Sequence, residues 1–397
     1  MKLFKYFGPS TLVTAAFIGP GTVTLCSLTG ATSGFNLIWV LIFSVITAII
    51  FQEMAARLGL VTQEGLGEAI RKSKLSHLPK LMMIIISFSA IIIGNAAYEA
   101  GNLAGASLGL DLIIEGFSLW PLILGVMAAV ILFQGKYAYL EKILIVLVLL
   151  MSICFLITAL MLKPSISEIA SGLVPSKADF DDILVIIGLI GTTVVPYNLF
   201  LHASSISEKH HHVNDLKDVR IENLVAIVLG GFISVTIIIS SAMVFGSGIE
   251  FTNIKDFALQ LEPLLGSNAK YVMAIGFFAA GLSSAITAPL AAAYAARGLF
   301  DLPKSFTDNR FRLTWLLIIV IGVVVSMFGF KPVLVIKFAQ IANGLLLPII
   351  AGFLIYILNS KDIMGSYVNS TVRNIISIFV LILTIAMAVK TMINVFG

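Results

Sequence analysis

The sequence predicts an all-helical integral membrane protein in which two spans are broken near mid-membrane. Hydrophobic residues make up 59% of the 397-residue chain and charged residues only 12%, whereas a soluble domain is about one-quarter charged. Apolar segments of spanning length recur along the chain. Two of them contain glycine and proline where a helix should continue, so these two need a separate explanation.

Eleven segments are long and apolar enough to span a bilayer. Their predicted cores are Leu12–Ala31, Leu37–Phe51, Leu81–Leu108, Leu119–Phe133, Ile143–Leu162, Ile183–His202, Leu224–Phe245, Tyr271–Tyr294, Leu313–Phe330, Val333–Leu358 and Ile375–Val395. An odd number of spans places the two ends of the chain on opposite sides of the membrane. The first apolar stretch shows no cleavage-type boundary, so we expect no cleavable signal peptide.

The basic residues predict the orientation. With a cytoplasmic N-terminus, 18 of the 25 Lys and Arg residues fall on the inner side, and six fall on the outer side. This bias fits the positive-inside rule and places the C-terminus outside. We expect a bacterial inner membrane, the lipid bilayer as the partner, and a monomer. The net charge of +4 is spread over membrane loops, so we expect no nucleic-acid partner.

The two interruptions lie in the first and sixth segments. The first reads FIGPGTVTLCSLTG (Phe17–Gly30) and the second reads GTTVVPYNLFLH (Gly191–His202). The residues at the breaks are Gly19, Pro20, Gly21, Val195 and Pro196. Because five segments separate the two starts, the broken spans run in opposite directions. Such a pair in two inverted halves indicates the midplane site of a secondary transporter; two ordinary proline kinks are the alternative.

Non-helical backbone at membrane depth is tolerated only where protein or a water-filled cavity covers it. An unwound segment frees carbonyl and N–H groups that can hold a polar solute. The ends of the two half-helices add partial charges of each sign. The breaks therefore predict a polar binding site rather than a defect.

Four stretches carry a resemblance to a known family. They are GPSTLVTAAFIGPGTVT (Gly8–Thr24), QEMAARLGLVTQEGLGEAI (Gln52–Ile70), VPYNLFLHASS (Val195–Ser205) and AQIANGLLLP (Ala339–Pro348). In these stretches the chain resembles the Nramp family of divalent metal transporters. The resemblance implies a leucine-transporter-like fold, with two inverted five-helix repeats, helices 1 and 6 broken, and here an eleventh transmembrane helix. We predict one domain, 1–397, with repeats at about 8–165 and 180–358 and the extra helix at about 373–396.

The chain departs from the family pattern at the metal ligands that the resemblance implies. The family's Asp and Asn in the first break fall on Gly19 and Thr22. Its backbone carbonyl and Met in the sixth span fall on Thr192 and Val195, and its His after the proline falls on Tyr197. The site therefore loses a carboxylate, a thioether and an imidazole.

A carboxylate remains in the third span. Glu99 matches a family position, whereas the acidic position one turn before it is Ala96. Intramembrane carboxylates are costly and usually face the bundle interior. Glu99 is therefore a candidate source of negative charge for the site, and a structural hydrogen bond to a neighbouring helix is the alternative.

These substitutions change the expected substrate. A thioether favours soft transition metals over hard cations, and valine cannot bind metal at all. Mg²⁺ sheds water reluctantly and usually keeps several waters in a protein site. We therefore predict transport of largely hydrated Mg²⁺, with Mn²⁺ as a second possible substrate, as the resemblance to the Nramp-related magnesium transporters implies.

The candidate residues form one set around the two breaks. The substrate-binding candidates are Gly19, Thr22, Glu99, Thr192, Thr193, Val195, Asn198, Gln340 and Asn343. Metal contacts, mostly through water, are expected at Gly19, Thr22, Glu99 and Thr192. Tyr197 and His202 are expected to line an inner vestibule. We expect no cofactor, because the metal ion is the substrate.

Proton coupling is also expected to be lost. A buried Asp and a nearby His can carry protons because their pKa values respond to a neighbouring cation. Gly19 and Tyr197 occupy those positions and do not titrate near neutral pH. The membrane potential can drive entry instead, with about 2.3 kcal/mol per charge at 100 mV.

Three other functions remain open from the residues alone. A half-helix at Gly19 and Thr22 could bind the carboxylate of an amino acid, as related folds do. A scaffold or sensor would bind without transport. A membrane enzyme is the least favoured, because no His-Glu-x-x-His pattern occurs and His202 is the only histidine within a predicted span core; we expect no enzyme.

Overall fold

A computed structural model describes residues 18–135, 138–176, 182–246, 255–303 and 305–396. Helices dominate these ranges, and no strand occurs within them. The predicted all-helical class is therefore confirmed.

The helices divide between two halves of the chain. The first half contains α1 (Pro20–Ser33), α2 (Ile38–Thr62), α3 (Leu66–Lys72), α4 (His77–Asp111), α5 (Trp120–Gln134), α6 (Ala138–Met161) and α7 (Ile166–Ser171). The second half contains α8 (Ile183–Thr193), α9 (Pro196–Lys209), α10 (Leu216–Phe245), α11 (Lys255–Leu259), α12 (Glu262–Leu265), α13 (Ala269–Phe300), α14 (Asn309–Met327), α15 (Pro332–Leu358), α16 (Lys361–Met364) and α17 (Thr371–Phe396). Short 3₁₀ turns precede α10 and α13 and follow α16.

The helices account for the predicted spans. Within the described ranges, nine helical segments are long and apolar enough to cross a membrane, with α8 and α9 counted as one segment. The shorter apolar helix α5 supplies the fourth span, and α1 covers the described part of the predicted first span. Residues 12–17 of the predicted first span lie outside the described residues. The helices therefore match the eleven predicted spans in order, and the chain is an integral membrane protein.

Several helices extend beyond their predicted apolar cores. Helix α4 begins four residues before Leu81 and ends three residues after Leu108. Helix α13 continues past Tyr294 to Phe300, and Arg297 in this extension pairs with Glu208 of α9 at 2.9 Å. Hydropathy marks the lipid-embedded part of a helix, whereas backbone hydrogen bonds continue past it wherever polar side chains find partners.

Small residues let the two halves of the bundle pack closely. A Cβ atom on Gly30 of α1 would overlap the carbonyl of Ile238 on α10. A Cβ on Gly59 of α2 would likewise overlap the carbonyl of Ala203 on α9. Glycines at helix contacts allow such backbone approach in membrane proteins. The broken helices α1 and α9 are therefore held directly against helices of the opposite half.

Candidate substrate site at the two helix breaks

The second break separates α8 from α9. Helix α8 ends at Thr193, and Val194 and Val195 have non-helical backbone, with φ and ψ of −115° and 82° and of −82° and 122°. Helix α9 then begins with Pro196. In a continuous helix the N–H of residue 196 would bond to the carbonyl of Thr192, but proline has no N–H. The break therefore leaves this carbonyl without its helical donor.

The first break precedes α1. Gly19 is extended, with φ −84° and ψ 175°, and α1 begins with Pro20. The Gly19 carbonyl accepts hydrogen bonds from the N–H groups of Thr22 at 3.1 Å and Val23 at 3.2 Å. This carbonyl was predicted to contact the ion's water shell, but it caps the first turn of α1. Residues 1–17, before the break, lie outside the described residues.

The two breaks meet through a hydroxyl pair. Thr22 Oγ1 lies 3.0 Å from Thr192 Oγ1, and both side chains are buried. The neighbouring Thr193 hydroxyl instead donates to the Leu189 carbonyl of its own helix, at 2.9 Å. Thr22 and Thr192 therefore form a hydrogen-bonded contact between the two spans, whereas the Thr193 hydroxyl bonds within α8.

Two hydroxyl groups flank the position at which the resemblance places a carboxylate. A Cβ atom on Gly19 would lie 3.2 Å from Ser284 Oγ and 3.3 Å from the Tyr98 hydroxyl. The Tyr98 ring also packs edge-on against Tyr197, with centroids 5.3 Å apart and an interplanar angle of 61°. Sequence reasoning missed Tyr98, although it directly precedes Glu99 on the polar stripe of α4.

Gln340 of α15 lies between the two breaks. A Cβ on Gly21 would overlap the side-chain amide of Gln340. A Cβ on Gly191 of α8 would overlap the Gln340 backbone carbonyl. Glycine at positions 21 and 191 therefore admits α15 to the site, and with it Asn343, which lies nearly one turn further along the same helix.

Several buried amide groups around the breaks have no hydrogen-bond partner among the described residues. The atoms are Asn95 Oδ1 and Nδ2, Asn198 Oδ1, Gln340 Oε1 and Asn343 Nδ2. All four side chains are at least nine-tenths buried. A dry, unpaired polar group costs about 1–3 kcal/mol. Their concentration on the helices that surround the breaks is typical of a site that holds water or a hydrated solute.

Glu99 does not face the hydroxyl pair directly. Its side chain packs against α14, where a Cβ on Gly322 would lie 3.0 Å from Glu99 Cβ and closer still to Cγ. Asn102 Nδ2 donates to Glu99 Oε2 at 3.4 Å, and Oε1 has no partner among the described residues. The carboxylate is fully buried. It therefore lies on the α14 side of α4, while Tyr98 occupies the side toward the break.

The predicted vestibule residues lie on α9. Tyr197 contacts Tyr98, as described above, whereas His202 Nδ1 lies 2.6 Å from Gln52 Oε1 of α2. His202 Nε2 has no partner within the described chain, and the ring is buried. His202 thus joins α9 to α2 nearly two helical turns after the break.

The site contains neutral oxygen and nitrogen groups rather than the usual transition-metal ligands. No group of three or more His, Cys, Asp or Glu side chains positioned to hold a metal occurs in the described ranges. The consecutive residues His210, His211 and His212 do not form such a metal-binding group either. His210 lies 3.5 Å from Asp215, and His211 and His212 are exposed in the loop after α9.

A hydrolase-like pattern in α4 has a structural role. Gly105-Ala106-Ser107-Leu108-Gly109 has the spacing Gly-x-Ser-x-Gly. In α/β-hydrolases that pattern forms a sharp strand-to-helix turn with an exposed serine. Here it lies within a continuous helix, and the Ser107 hydroxyl donates to the Leu103 carbonyl at 2.7 Å. The glycines serve packing, because a Cβ on Gly105 would overlap Pro20 of α1.

A family model described as "Natural resistance-associated macrophage protein-like" matches residues 10–394 of the chain. The chain belongs to the Nramp family. The resemblance in the four sequence stretches is therefore confirmed. Nramp proteins are transporters and not enzymes, which is the expectation drawn from the sequence.

Curated Nramp relatives align with nearly the whole chain. A divalent metal cation transporter MntH of Bradyrhizobium diazoefficiens is 27% identical and covers 93% of this chain and 84% of its own length. A metal transporter Nramp1 of Populus trichocarpa is 30% identical and covers 93% and 71%. The Nramp protein 2 homolog of Dictyostelium discoideum is 28% identical over 97% of this chain, which spans 63% of that relative's length.

Solved structures show the same fold. A manganese transporter of Eremococcus coleocola superposes with a TM-score of 0.78 at 21% identity, covering 98% of this chain and 85% of its own. MhsT, solved in complex with L-phenylalanine, superposes with a TM-score of 0.64 at 16% identity, covering 96% and 98%. The predicted leucine-transporter-like fold is thus confirmed, and helix 6 is broken between α8 and α9. The predicted half of helix 1 before Ile18 lies outside the described residues. The repeat bounds at about 8–165 and 180–358 stay a prediction.

The hydroxyl pair predicts a measurable coupling between the two breaks. We expect Thr22→Ala and Thr192→Ala to lower the thermal stability of the detergent-solubilised protein non-additively. The coupling free energy should be about 0.6 kcal/mol and at most about 1.7 kcal/mol, the average and the maximum found for interhelical hydrogen bonds by double-mutant cycles in a membrane protein. A matched cycle of Thr22→Ala with Thr193→Ala should be additive, because the Thr193 hydroxyl bonds within α8. Additivity in both cycles would show that the pair does not join the breaks.

Proposed function

We propose that this Nramp protein transports a divalent cation in largely hydrated form, with Mg²⁺ as the main substrate and Mn²⁺ as a second one, and without proton coupling. One observation carries the proposal. The two breaks meet at the Thr22–Thr192 hydroxyl pair, while Gly19 and Val195 stand at the positions that would supply a carboxylate and a thioether. The divalent class agrees with the names of the curated relatives.

The groups at the breaks suit a water shell better than a bare ion. Waters bound to Mg²⁺ point their hydrogens outward, so their neighbours must accept hydrogen bonds. The Thr192 carbonyl has lost its helical donor at Pro196, and Asn198 Oδ1 and Gln340 Oε1 have no partner among the described residues. These acceptors are held on three different helices, which can surround a solute larger than a bare ion.

The side chains that are missing relative to the family pattern also support a hydrated Mg²⁺ substrate. An Asp at position 19 would bring its carboxylate between Tyr98 and Ser284, whose hydroxyls lie 3.3 Å and 3.2 Å from the Cβ position. Glycine leaves that region to the two hydroxyls. Since Mg²⁺ demands near-ideal octahedral geometry and dehydrates reluctantly, a neutral site that accepts its waters avoids the cost of stripping them.

The absence of proton coupling is inferred from the loss of titratable side chains at the two breaks. Gly19 and Tyr197 replace the carboxylate and imidazole implied by the family pattern. Glu99, the remaining intramembrane carboxylate of that pattern, packs against α14 rather than into the hydroxyl pair. We therefore place Glu99 beside the site rather than in the contact between Thr22 and Thr192.

Location and assembly complete the proposal. The basic-residue bias supports a cytoplasmic N-terminus and an outside C-terminus, and bacterial relatives such as the Bradyrhizobium protein support a bacterial inner membrane. We propose a monomer in the lipid bilayer, with no cofactor besides the transported ion. The amino-acid alternative is not favoured, because the relatives carry the names of metal transporters.

Flux into proteoliposomes tests the substrate and the coupling together. We expect Mg²⁺ uptake that increases with an inside-negative potential, since about 4–5 kcal/mol at 100 mV acts on a divalent ion. An internal pH dye should record no acidification during that uptake. Thr192→Val should reduce uptake about fivefold or more, because it removes a hydroxyl of the site and about 1–3 kcal/mol of polar stabilisation.

Empty liposomes and Thr314→Val provide the controls for that assay. Thr314 is partly exposed, and its hydroxyl donates to the Arg310 carbonyl near the start of α14, away from the breaks. Metal-dependent proton entry would contradict the uncoupled mechanism. Uptake of an amino acid that Mg²⁺ does not inhibit would show that the substrate is an amino acid rather than a cation.

Restoring sulfur at the second break should change the metal preference. We expect Val195→Met to raise uptake of Mn²⁺ and Cd²⁺ relative to Mg²⁺ by about tenfold or more, because a thioether favours softer metals. Val194→Met is the matched control, since Val194 is the adjacent non-helical residue and is equally buried. Competition of each metal against Mg²⁺ uptake measures the ratio. An equal effect of both variants would mean that position 195 does not face the ion.

A further inference from the structure

A groove of about 350 Å³ opens between α2, α10 and α17, at the ends that the sequence predicts to be cytoplasmic. Its wall is apolar and includes Ile49 and Met54 of α2, Leu224 of α10 and Ile376 of α17. The lining also contains the charged residues Arg220, Arg373 and Glu53, together with Ile50 and Asn223. The groove is thus apolar along its length and charged at one end.

The groove faces lipid rather than the protein interior. Leu224 and Ile376 are 46% and 44% exposed. Val228 on α10 and Phe379 on α17, about one turn further along, are 46% and 60% exposed. These side chains continue the apolar wall toward the membrane centre. A ligand seated in the groove would therefore meet hydrocarbon on its open side.

The charged end carries an excess of positive charge. Glu53 pairs with Arg57 at 3.2 Å and with Arg220 at 2.7 Å. Arg373 lies close enough to repel the charge of Arg57, as Arg220 also does. Among the described residues, two guanidinium groups thus pair with one carboxylate, and the third, on Arg373, lines the same end of the groove. This imbalance favours an anion at the mouth of the groove.

Arg57 does not supply that binding capacity. It is buried, and its guanidinium donates to the Tyr367 carbonyl and to Asn369 Oδ1, both at 2.6 Å. Asn369 Nδ2 in turn donates to Asn374 Oδ1 of α17 at 2.9 Å. Arg57 therefore fixes the start of α17 against α2. Arg220, whose side chain is 36% exposed, and the exposed Arg373 are left to face the groove.

We propose that this groove binds an anionic phospholipid from the cytoplasmic leaflet, with its phosphate between Arg220 and Arg373 and an acyl chain along the apolar wall. Guanidinium groups bind phosphate oxygens through paired hydrogen bonds. Basic pockets between transmembrane helices on the cytoplasmic side are suited to anionic headgroups. The bound lipid joins α10 to α17 beside the Arg57 cluster and thereby anchors the eleventh helix to the bundle.

Lipid titration of the purified full-length protein tests this site without any transport measurement. Native mass spectrometry and thermal unfolding in a neutral detergent would compare phosphatidylglycerol with phosphatidylcholine. We expect the wild type to retain phosphatidylglycerol at least about fivefold better, and Arg373→Gln to lose about that factor, since one basic residue near the surface contributes roughly fivefold in affinity. Arg373→Lys should keep most of the preference.

Arg310→Gln is the matched control, because Arg310 is exposed and basic at the start of α14, on the predicted cytoplasmic side and outside the groove. It should retain the full preference. Equal retention of the two lipids by the wild type, or an equal loss in both glutamine variants, would overturn the proposal. A thermal shift from soluble glycerol phosphate equal to that from phosphatidylglycerol would also overturn it, because the apolar wall would then have no role.

Discussion

The cost of exposed backbone inside a membrane governs this structure. Proline at position 196 ends helical hydrogen bonding, and Pro20 begins a helix after an extended Gly19, both where no bulk water is available. The chain compensates in two ways. The Gly19 carbonyl caps the first turn of α1, and the Thr22 and Thr192 hydroxyls join the two breaks across 170 residues of sequence. Because each break would be unfavourable alone, the inverted halves must meet at this point, and the remaining helices pack to cover it.

The sequence was sufficient for the fold because its signals are local. Spanning lengths, the Gly/Pro interruptions and four family-like stretches each depend on neighbouring residues. The helices confirmed the spans and the second interruption, and the family model confirmed the resemblance. The site was harder, because it depends on side-chain direction around a helix. Tyr98 and Glu99 are adjacent in α4, yet Tyr98 borders Gly19 whereas Glu99 packs on Gly322 of α14. Hydropathy and motif matching do not distinguish these two directions.

Backbone contacts explain the other differences. A free Gly19 carbonyl and an available Thr193 hydroxyl were reasonable expectations from residue type, but both groups are used by their own helices. Gln340 lies closer to the breaks than its residue type alone indicates, because glycines at positions 21 and 191 leave room for α15 between them. The arrangement that results is a neutral, oxygen-rich contact among α1, α8, α9 and α15. In the transport that we propose, such a contact would hold a cation through its waters rather than by direct coordination.

The position of a bound ion tests this claim most directly. Crystals of the protein soaked in Mn²⁺, with diffraction recorded at the manganese absorption edge, would locate the ion by its anomalous signal. The account predicts one peak beside Thr22 and Thr192, with the nearest protein oxygens at about 4 Å. This is the separation expected when an ion–water bond of about 2.1 Å and a hydrogen bond of about 2.8 Å meet at roughly 110° on the water. A peak within about 2.3 Å of protein oxygens, or no peak between α1 and α8, would contradict it.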